Sequence, residues 1–357
     1  MLDAWIAERQ DRECHTCIPL ESTLKTKYAI HPKRHRDTFH SMNIEQRNRL
    51  RRAANVVDPN RFLRDGIRNL RGHWAYRGLN VLSASRGNIA LKKIVQAGAP
   101  ASVGKIGASE LKVLNQYISA PQGGGRYDDM IKEEILVHSG VFPTNDDFLD
   151  RYAAAMLTAL SAVDLLAVWY NPGERQVVER ACRNAIFCEL TGLESYYFPD
   201  PWTWALRGKR ILVISPFIDS IQAQYLRRSS VWKAQPDVLP DFELVTLACP
   251  QSPALVPSTD NNWFEAFDRL QHSVAKLDFD VALIGAGALS IPLCATIKAS
   301  GRIAIHLGGQ TQILFGIKGR RWDSHPVISK MFNESWTRTL PHESPPDRNK
   351  IENGAYW

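Results

Sequence analysis

Apolar runs and helical patterns alternate along the chain from about residue 101 to residue 325. The apolar runs are short and rich in β-branched residues, as strands buried on both faces of a sheet are. They span Ser102 to Ile106, Asp164 to Tyr170, Arg210 to Ser215, Glu243 to Ala248, Phe279 to Ile284 and Ile303 to Leu307. Because parallel strands need long crossover connections, this alternation predicts an α/β protein whose sheet is mainly parallel.

Apolar residues at helical spacing separate these runs. The clearest case is Asp146 to Ala162, which has Asn145 in front of it as a candidate N-cap. The other predicted helices are Ser109 to Ile118, Arg175 to Cys188, Ile218 to Arg228, Trp263 to Lys276 and Ala288 to Ser300. Strands and helices in this order predict a doubly wound, Rossmann-like sheet.

Two glycine turns follow neighbouring predicted strands. One is Gly285-Ala286-Gly287 and the other is Gly308-Gly309. Doubly wound sheets bind ligands at the carboxyl ends of their strands, and glycine lets the backbone approach a ligand closely. The basic residues that follow indicate an anionic ligand, although a solvated surface turn is the alternative. These basic residues are Lys318, Arg320 and Arg321.

The GAGALS turn at residues 285–290 also raises the possibility of dinucleotide binding. That fingerprint requires G-x-G-x-x-G, followed by an acidic residue about twenty positions later. Here Ser290 replaces the third glycine, and the next strand ends in His306-Leu307-Gly308 without an Asp or Glu. An NAD-dependent oxidoreductase is therefore the weaker alternative.

The basic charge is concentrated at the start of the chain. Residues 1–80 hold 16 Lys and Arg against 9 Asp and Glu, and the whole chain of 357 residues has a net charge of +7. This segment is predicted to be a basic, mostly helical extension that contacts nucleic acid, an anionic membrane surface or an acidic partner. A solvated helical arm is the alternative. An irregular tail is expected at residues 326–357, which are rich in Pro, Asn and charged residues.

Composition argues against a membrane span and a disulfide framework. No run of about twenty apolar residues exists, and the first residues are charged, without an apolar signal core. We therefore expect a cytoplasmic protein. Four of the six cysteines fall in predicted helices or strands and are expected to be small buried apolar residues. They are Cys182, Cys188, Cys249 and Cys294.

A cluster of cysteine and histidine lies within the basic extension. Cys14 and Cys17 are followed after thirteen residues by His31 and His35, a spacing that fits a structural zinc site. Pro32 between the histidines departs from a zinc finger, which has helix there. Zinc binding would favour nucleic acid as a partner or an acceptor. Two free cysteines in a flexible arm are the alternative.

Several motifs in order resemble glycosyltransferases of the D-type fold and their uncharacterised relatives. The resemblance covers roughly residues 100–325, within a domain expected at 81–325. The motifs are GKIGASEL at Gly104 to Leu111, PW at Pro201-Trp202, GKRILVISPF at Gly208 to Phe217, DVALIGAGA at Asp280 to Ala288, and AIHLGGQTQILFGIKGRRW at Ala304 to Trp322.

The resemblance implies transfer of a sugar from a UDP-, GDP- or dTDP-sugar to a saccharide, a lipid-linked acceptor or another hydroxyl. Family members bind the donor diphosphate with an Asp-x-Glu motif and a divalent metal. This chain has Ala108-Ser109-Glu110 there, and a lone carboxylate is a poor site for Mg²⁺ or Mn²⁺. Metal dependence therefore stays open, with Lys105 and the helix N-terminus near Ser109 as alternative sources of positive charge.

Sugar transfer requires positive charge at the leaving diphosphate and a carboxylate near the acceptor. Glu110 is the candidate carboxylate, and its alternative role is that of a first-turn helix acid. His306 is a second catalytic candidate that could equally be structural. The candidate donor-binding residues are Gly104, Lys105, Gly107, Ser109, Gly285, Gly287, Gly308, Gly309, Gln310, Gln312, Lys318, Arg320 and Arg321.

Overall fold

A single parallel sheet organises the chain in a computed structural model, which describes residues 76–120 and 124–357. Within these residues the strands are β1 (Val81–Leu82), β2 (Ala101–Gly104), β3 (Leu165–Val168), β4 (Ile186–Glu189), β5 (Arg210–Ser215), β6 (Glu243–Ala248), β7 (Val281–Ile284) and β8 (Ile303–His306). Their order is β1-β4-β3-β2-β8-β7-β5-β6, and every neighbouring pair is parallel. The predicted α/β class is confirmed.

Helices form most of the connections between these strands, and α10 follows the last strand. In the described residues they are α1 (Ala84–Ala97), α2 (Ala108–Ser119), α3 (Asp129–Ser139), α4 (Asp146–Leu160), α5 (Glu174–Ala181), α6 (Ile218–Tyr225), α7 (Arg228–Val231), α8 (Trp263–Ala275), α9 (Ser290–Ala299) and α10 (Gln310–Leu314). Asn145 caps α4 as predicted, because its side chain accepts a hydrogen bond from the Phe148 N–H. The segment after residue 325 contains short 3₁₀ turns and one isolated bridge, between Thr337 and Ile317.

Two apolar layers enclose the sheet, and alternate residues of each strand face opposite layers. In β5, Leu212 and Ile214 join one layer, while Ile211 and Val213 join the other. The strands β2, β3, β7 and β8 are buried along their whole length. Burial on both faces explains why these strands appear in the sequence as continuous apolar runs rather than as alternating ones.

The predicted helix Arg175 to Cys188 is wrong in its second half. Helix α5 ends at Ala181, and the chain turns into β4, which pairs with β3 from Leu165↔Ile186 to Val168↔Glu189. The run IFCE is too short for its periodicity to distinguish strand from helix. Pairing with β3 decides its conformation, and the two-residue strand β1 was missed for the same reason.

Two expectations from composition can be compared with the described residues. The four cysteines there are all buried and free of disulfides, which confirms that they serve as small apolar residues. Across residues 76–120 and 124–357, no helix combines the length and apolar character needed to cross a bilayer.

A buried carboxylate fixes the turn that follows β3. Glu174, at the start of α5, is fully buried and accepts hydrogen bonds from the backbone N–H groups of Trp169, at 3.0 Å, and Asn171, at 3.2 Å. Tyr170 between them adopts a left-handed φ of 58°. Because burial leaves these backbone donors without water, the carboxylate is the acceptor that makes the turn possible.

Replacing Glu174 by Gln should therefore destabilise the protein. An amide offers one acceptor oxygen instead of two and points an N–H₂ group at a set of donors, so we expect a loss of about 1–3 kcal/mol in the free energy of unfolding. Denaturant unfolding followed by circular dichroism measures it. Glu179→Gln on the same helix is the matched control, because Glu179 lies at the surface and pairs there with Arg175. The control should change stability by less than about 0.5 kcal/mol, and equal losses in the two variants would contradict the interpretation.

Candidate active site at the carboxyl edge of the sheet

A cavity of about 470 Å³ opens where the strands end. Each of six strands contributes a lining residue at its carboxyl end or one position beyond it. These residues are Lys105 after β2, Trp169 after β3, Ser215 in β5, Cys249 after β6, Gly285 after β7 and His306 in β8. Strands β5 and β7 are neighbours in the sheet. The connection after β5 leads to β6 on one side, and the connection after β7 leads to β8 on the other side. Doubly wound sheets bind ligands where connections diverge in this way.

The two glycine turns lie against each other in this cavity, as the sequence predicted. A Cβ on Gly285 would lie 3.0 Å from the Gly308 carbonyl oxygen, so a side chain there would push the turns apart. Gly308 has a left-handed φ of 61°, which other residues adopt only with strain. Both turns line the cavity, so backbone atoms of glycines form its wall there.

Lys105 is the deepest cation of the cavity. Its side chain is only 6% exposed, and the ammonium Nζ donates a hydrogen bond to Gln310 Oε1 at 2.5 Å and lies 4.9 Å from the centre of the Trp169 ring. Within the described residues Nζ has no carboxylate at ion-pair distance. Burial lowers the pKa of Lys105 to about 8, against the attraction of Glu194.

Gln310 connects this ammonium to a carboxylate that sequence reasoning missed. The Gln310 Nε2 group donates to Glu194 Oε1 at 2.7 Å, while its Oε1 accepts from Lys105. Glu194 lies between two short 3₁₀ turns, Leu190–Leu193 and Ser195–Tyr197, and burial raises its pKa. Nothing in the local sequence marks Glu194, because its role depends on a contact with a residue 116 positions away.

Glu110 is the buried carboxylate of the cavity. It occupies the third position of α2, is 7% exposed, and lies directly over Gly107, where no Cβ obstructs it. Burial raises the pKa of Glu110, although hydrogen bonds from its own backbone N–H and from the Ser139 and Ser109 hydroxyls oppose this shift. The two hydroxyl oxygens are 2.8 Å apart. Ser139 belongs to α3, and nothing in the sequence of α3 indicated that it contributes to the site.

His306 ends β8 beside the same cavity. Its Nδ1 lies 3.3 Å from the Ile284 carbonyl oxygen, and its ring is 7% exposed. Burial and the neighbouring Lys105 ammonium lower the pKa of His306 to about 3, so the ring is neutral. The His306 imidazole, held by this carbonyl, therefore lines the cavity as an uncharged hydrogen-bonding group.

Most of the other predicted site residues line the cavity. They are Gly107, Ser109, Gly287, Gly309, Gln310, Gln312 and Arg321. Gly104 is not among them. It lies behind the wall, where a Cβ would meet Ile291 Cδ1 at 2.6 Å and His306 Cβ at 3.1 Å. Its absent side chain permits packing rather than ligand contact.

The basic turn contributes one cation to the cavity instead of three. Lys318 does not line it, and its Nζ lies 5.9 Å from the centre of the Phe332 ring. Arg320 also points elsewhere and donates to the Asn353 carbonyl oxygen. Arg321 reaches the rim, where its side chain is 35% exposed and pairs with Glu352. The short 3₁₀ turn Arg320–Trp322 directs these neighbours to different sides.

The segment from Ile351 to Trp357 forms one side of the cavity, which the sequence did not indicate. The Gln312 Nε2 group donates to the Tyr356 carbonyl oxygen at 2.8 Å, and the Arg321 guanidinium lies 4.9 Å from the centre of the Tyr356 ring. Gln312 and Arg321 are therefore partly engaged by the chain itself. The paired aromatics Tyr356 and Trp357 were the available signal, since buried aromatics often anchor a segment.

The described residues offer no metal-binding set inside the cavity. The group of three or more His, Cys, Asp and Glu with converging ligand atoms is Asp219, His342 and Glu343, which lies outside it. There the Glu343 carboxylate already accepts from the Asp219 and Ser220 backbone N–H groups and from the Ser220 hydroxyl. Asp219 Oδ2 is 2.7 Å from His342 Nε2.

Some predictions fall on residues that are not described. The zinc ligands Cys14, Cys17, His31 and His35 lie outside the described residues, as does nearly all of the basic extension at 1–80. The zinc site and the nucleic-acid contact therefore stay predictions.

Comparison with known proteins finds similarity in three dimensions only. Neither a family model nor a curated protein matches the chain. Two solved structures are similar, each over 76% of this chain and 94% of its own. One is a selenomethionine-substituted structure of the domain of unknown function 1792, with 14% identity and a TM-score of 0.40. The other, with 15% identity and a TM-score of 0.39, is described as the same highly conserved domain with a distinct glycosyltransferase fold.

Proposed function

We propose that the protein is a glycosyltransferase that moves a sugar from a nucleotide-sugar donor to a hydroxyl acceptor. One observation carries the proposal: a buried ammonium and a buried carboxylate, Lys105 and Glu110, face the same cavity at the carboxyl ends of parallel strands. A diphosphate leaving group needs the first of these charges, and an acceptor hydroxyl needs the second.

The donor diphosphate is assigned to the side of the cavity that holds Lys105 and the two glycine turns. The ammonium has three N–H donors, and Gln310 occupies one of them. The turns at Gly285 and Gly308 leave backbone without side chains beside it. Aromatic and amide side chains elsewhere in the cavity suit the base and the sugar; they include Phe142, Phe217, Trp263, Gln251 and Gln312.

Glu110 acts on the acceptor in this proposal. The bond between the anomeric carbon and the diphosphate oxygen breaks, and its electron pair stays on the diphosphate, where Lys105 offsets the new charge. The acceptor oxygen forms a bond to the same carbon and gives its proton to the Glu110 carboxylate. A raised pKa suits this role, because a base with a pKa nearer the working pH accepts a proton more readily.

A nucleotide sugar should stabilise the folded protein. A ligand present at about 100 times its Kd adds roughly 2.7 kcal/mol to the free energy of unfolding. We expect one of the UDP-, GDP- or dTDP-sugars to raise the melting temperature in a thermal-shift screen at millimolar concentration. NAD and NADP serve as comparison ligands. A shift with the pyridine nucleotides and none with the nucleotide sugars would favour the oxidoreductase alternative.

The Glu110→Gln variant should bind donor and lose transfer. The amide cannot accept the acceptor proton, so we expect the rate of sugar transfer to fall about 10²- to 10⁴-fold, while the thermal shift with donor is retained. Product formation followed by mass spectrometry measures the rate. Glu179→Gln, at the surface of α5, is the control with normal activity. Full activity in Glu110→Gln would remove Glu110 from the mechanism.

Affinity for UDP should fall as pH rises through about 8. Lys105 carries its charge below its pKa of about 8 and loses it above, whereas a terminal phosphate with a second pKa of about 6 stays ionised in this window. Of the neighbouring groups, His306 is neutral and Cys249, with a pKa raised to about 12, stays a thiol. The raised pKa values of Glu110 and Glu194 put the ionisation of both carboxyls closer to this window.

Calorimetric titration between pH 7 and pH 9 measures this dependence. The Lys105→Met variant separates the two contributions. It should lack the decrease in UDP affinity that Lys105 causes, and it should keep any decrease that ionisation of the two carboxyls causes. An unchanged slope in Lys105→Met would show that another group titrates.

A further inference from the structure

The carboxylates of the cavity are unsuited to hold a divalent cation. Mg²⁺ and Mn²⁺ require several oxygen ligands, and carboxylates usually supply the charged ones. Within the described residues the carboxylates lining the cavity are Glu110, Glu134 and Glu352. Glu134 pairs with Lys112 and Glu352 pairs with Arg321, so each already has a cation.

The third carboxylate, Glu110, belongs to no group of converging metal ligands in the described residues. The other polar side chains beside it on the cavity wall include the neutral hydroxyls of Ser109 and Ser139, whose oxygens are 2.8 Å apart. Ala108 offers no second carboxylate two positions before Glu110. Among the described residues Glu110 is therefore the single acidic side chain at this point, whereas a metal site would bring further acidic side chains to it.

A cation of the protein itself stands where positive charge is required. Lys105 follows β2 directly, three residues before Ala108, and its ammonium lies between the Trp169 ring and the Gly308 turn. A Cβ on Gly308 would lie 3.4 Å from Nζ, so the bare turn leaves room for the ammonium at the cavity wall. Nζ has no ion-pair partner in the described part of the chain.

An ammonium buried without a counter-ion is costly, and burial is tolerated when a polar partner or a ligand compensates for it. Gln310 supplies one neutral acceptor, and it is held in place by its own donation to Glu194. Glu194 thus supports the charge from one residue further away, without neutralising it by direct contact. Among the described residues the other two N–H donors of the ammonium have no hydrogen-bond acceptor, which leaves them for an anion.

We propose that the ammonium of Lys105, positioned by Gln310 and Glu194, replaces the divalent cation at the donor diphosphate, so that this protein binds its donor without metal. The inference rests on the proposed function and adds to it the class of cation that the site uses. Arg321 assists from the rim, where solvent screens its charge.

Binding of UDP, GDP, dTDP and inorganic pyrophosphate to the full chain tests the inference. Calorimetry or thermal shift is run once in EDTA and once with MnCl₂. We expect a nucleoside diphosphate to bind in EDTA with an affinity within about threefold of that in MnCl₂, since a difference of that size is small beside a lost charged contact. Pyrophosphate is the probe that depends on no base.

Variants then identify the cation. Lys105→Met should weaken binding in EDTA about 10- to 100-fold, the effect of removing a hydrogen bond to a charged group. Lys318→Met is the matched control, because it makes the same substitution at a lysine that lies outside the cavity. Replacement of a buried charge by an apolar side chain of similar length should not unfold the protein, and melting without ligand checks this.

The outcomes separate the inference from the proposed function. Binding that requires Mn²⁺ and disappears in EDTA would overturn metal independence while leaving the donor site intact. Equal binding by Lys105→Met and the wild type in EDTA would overturn the role of Lys105. An absence of binding by every diphosphate in both buffers would overturn the proposed function together with the inference.

Discussion

The site depends on one charge that the described residues compensate only in part, the buried ammonium of Lys105. Moving an ammonium out of water is unfavourable by several kcal/mol unless other groups replace its hydration. Here the replacement is partial: a glutamine oxygen and an aromatic face lie next to the ammonium, and the carboxylates of Glu194 and Glu110 attract it from further away. Such a group is more favourable when an anion is bound than when the cavity is filled by water. The fold maintains this imbalance because Lys105 directly follows a fully buried strand that is paired on both sides.

Burial shifts the pKa values of acids and bases at the cavity in opposite directions. Burial lowers the pKa of Lys105 and His306 and raises the pKa of Glu110 and Glu194, so each group is held closer to its neutral form than it would be in water. The protonation states of such groups change readily when a charged ligand binds. A diphosphate would favour the charged ammonium, and a hydroxyl would meet a carboxylate that accepts protons readily.

Elements distant in sequence supply what this arrangement needs. Glu174 fixes the turn that presents Trp169, Glu194 orients Gln310, and the segment Ile351 to Trp357 closes one side. None of these groups belongs to a glycine turn or to a basic cluster. The site therefore consists of a few residues at strand ends, whose positions are fixed by residues from distant parts of the chain.

The sequence by itself determined the α/β class, the strands β5 and β6 to the residue, and the meeting of the two glycine turns. Short apolar runs between helical patterns indicate strands, and the carboxyl ends of parallel strands necessarily share one edge of the sheet. It also identified Lys105, Glu110 and His306, which lie at or near such ends.

Only the tertiary structure decided which charges face the cavity. Lys318, Arg320 and Arg321 are equivalent in sequence, yet a 3₁₀ turn sends only Arg321 to the rim. Strand β4 was decided in the same way, by pairing with β3 rather than by its own residues. The partners Glu194 and Tyr356 depend on contacts across 116 and 44 positions. Local periodicity reports which face of an element is buried, whereas side-chain contacts between distant segments exist only after the sheet has brought them together.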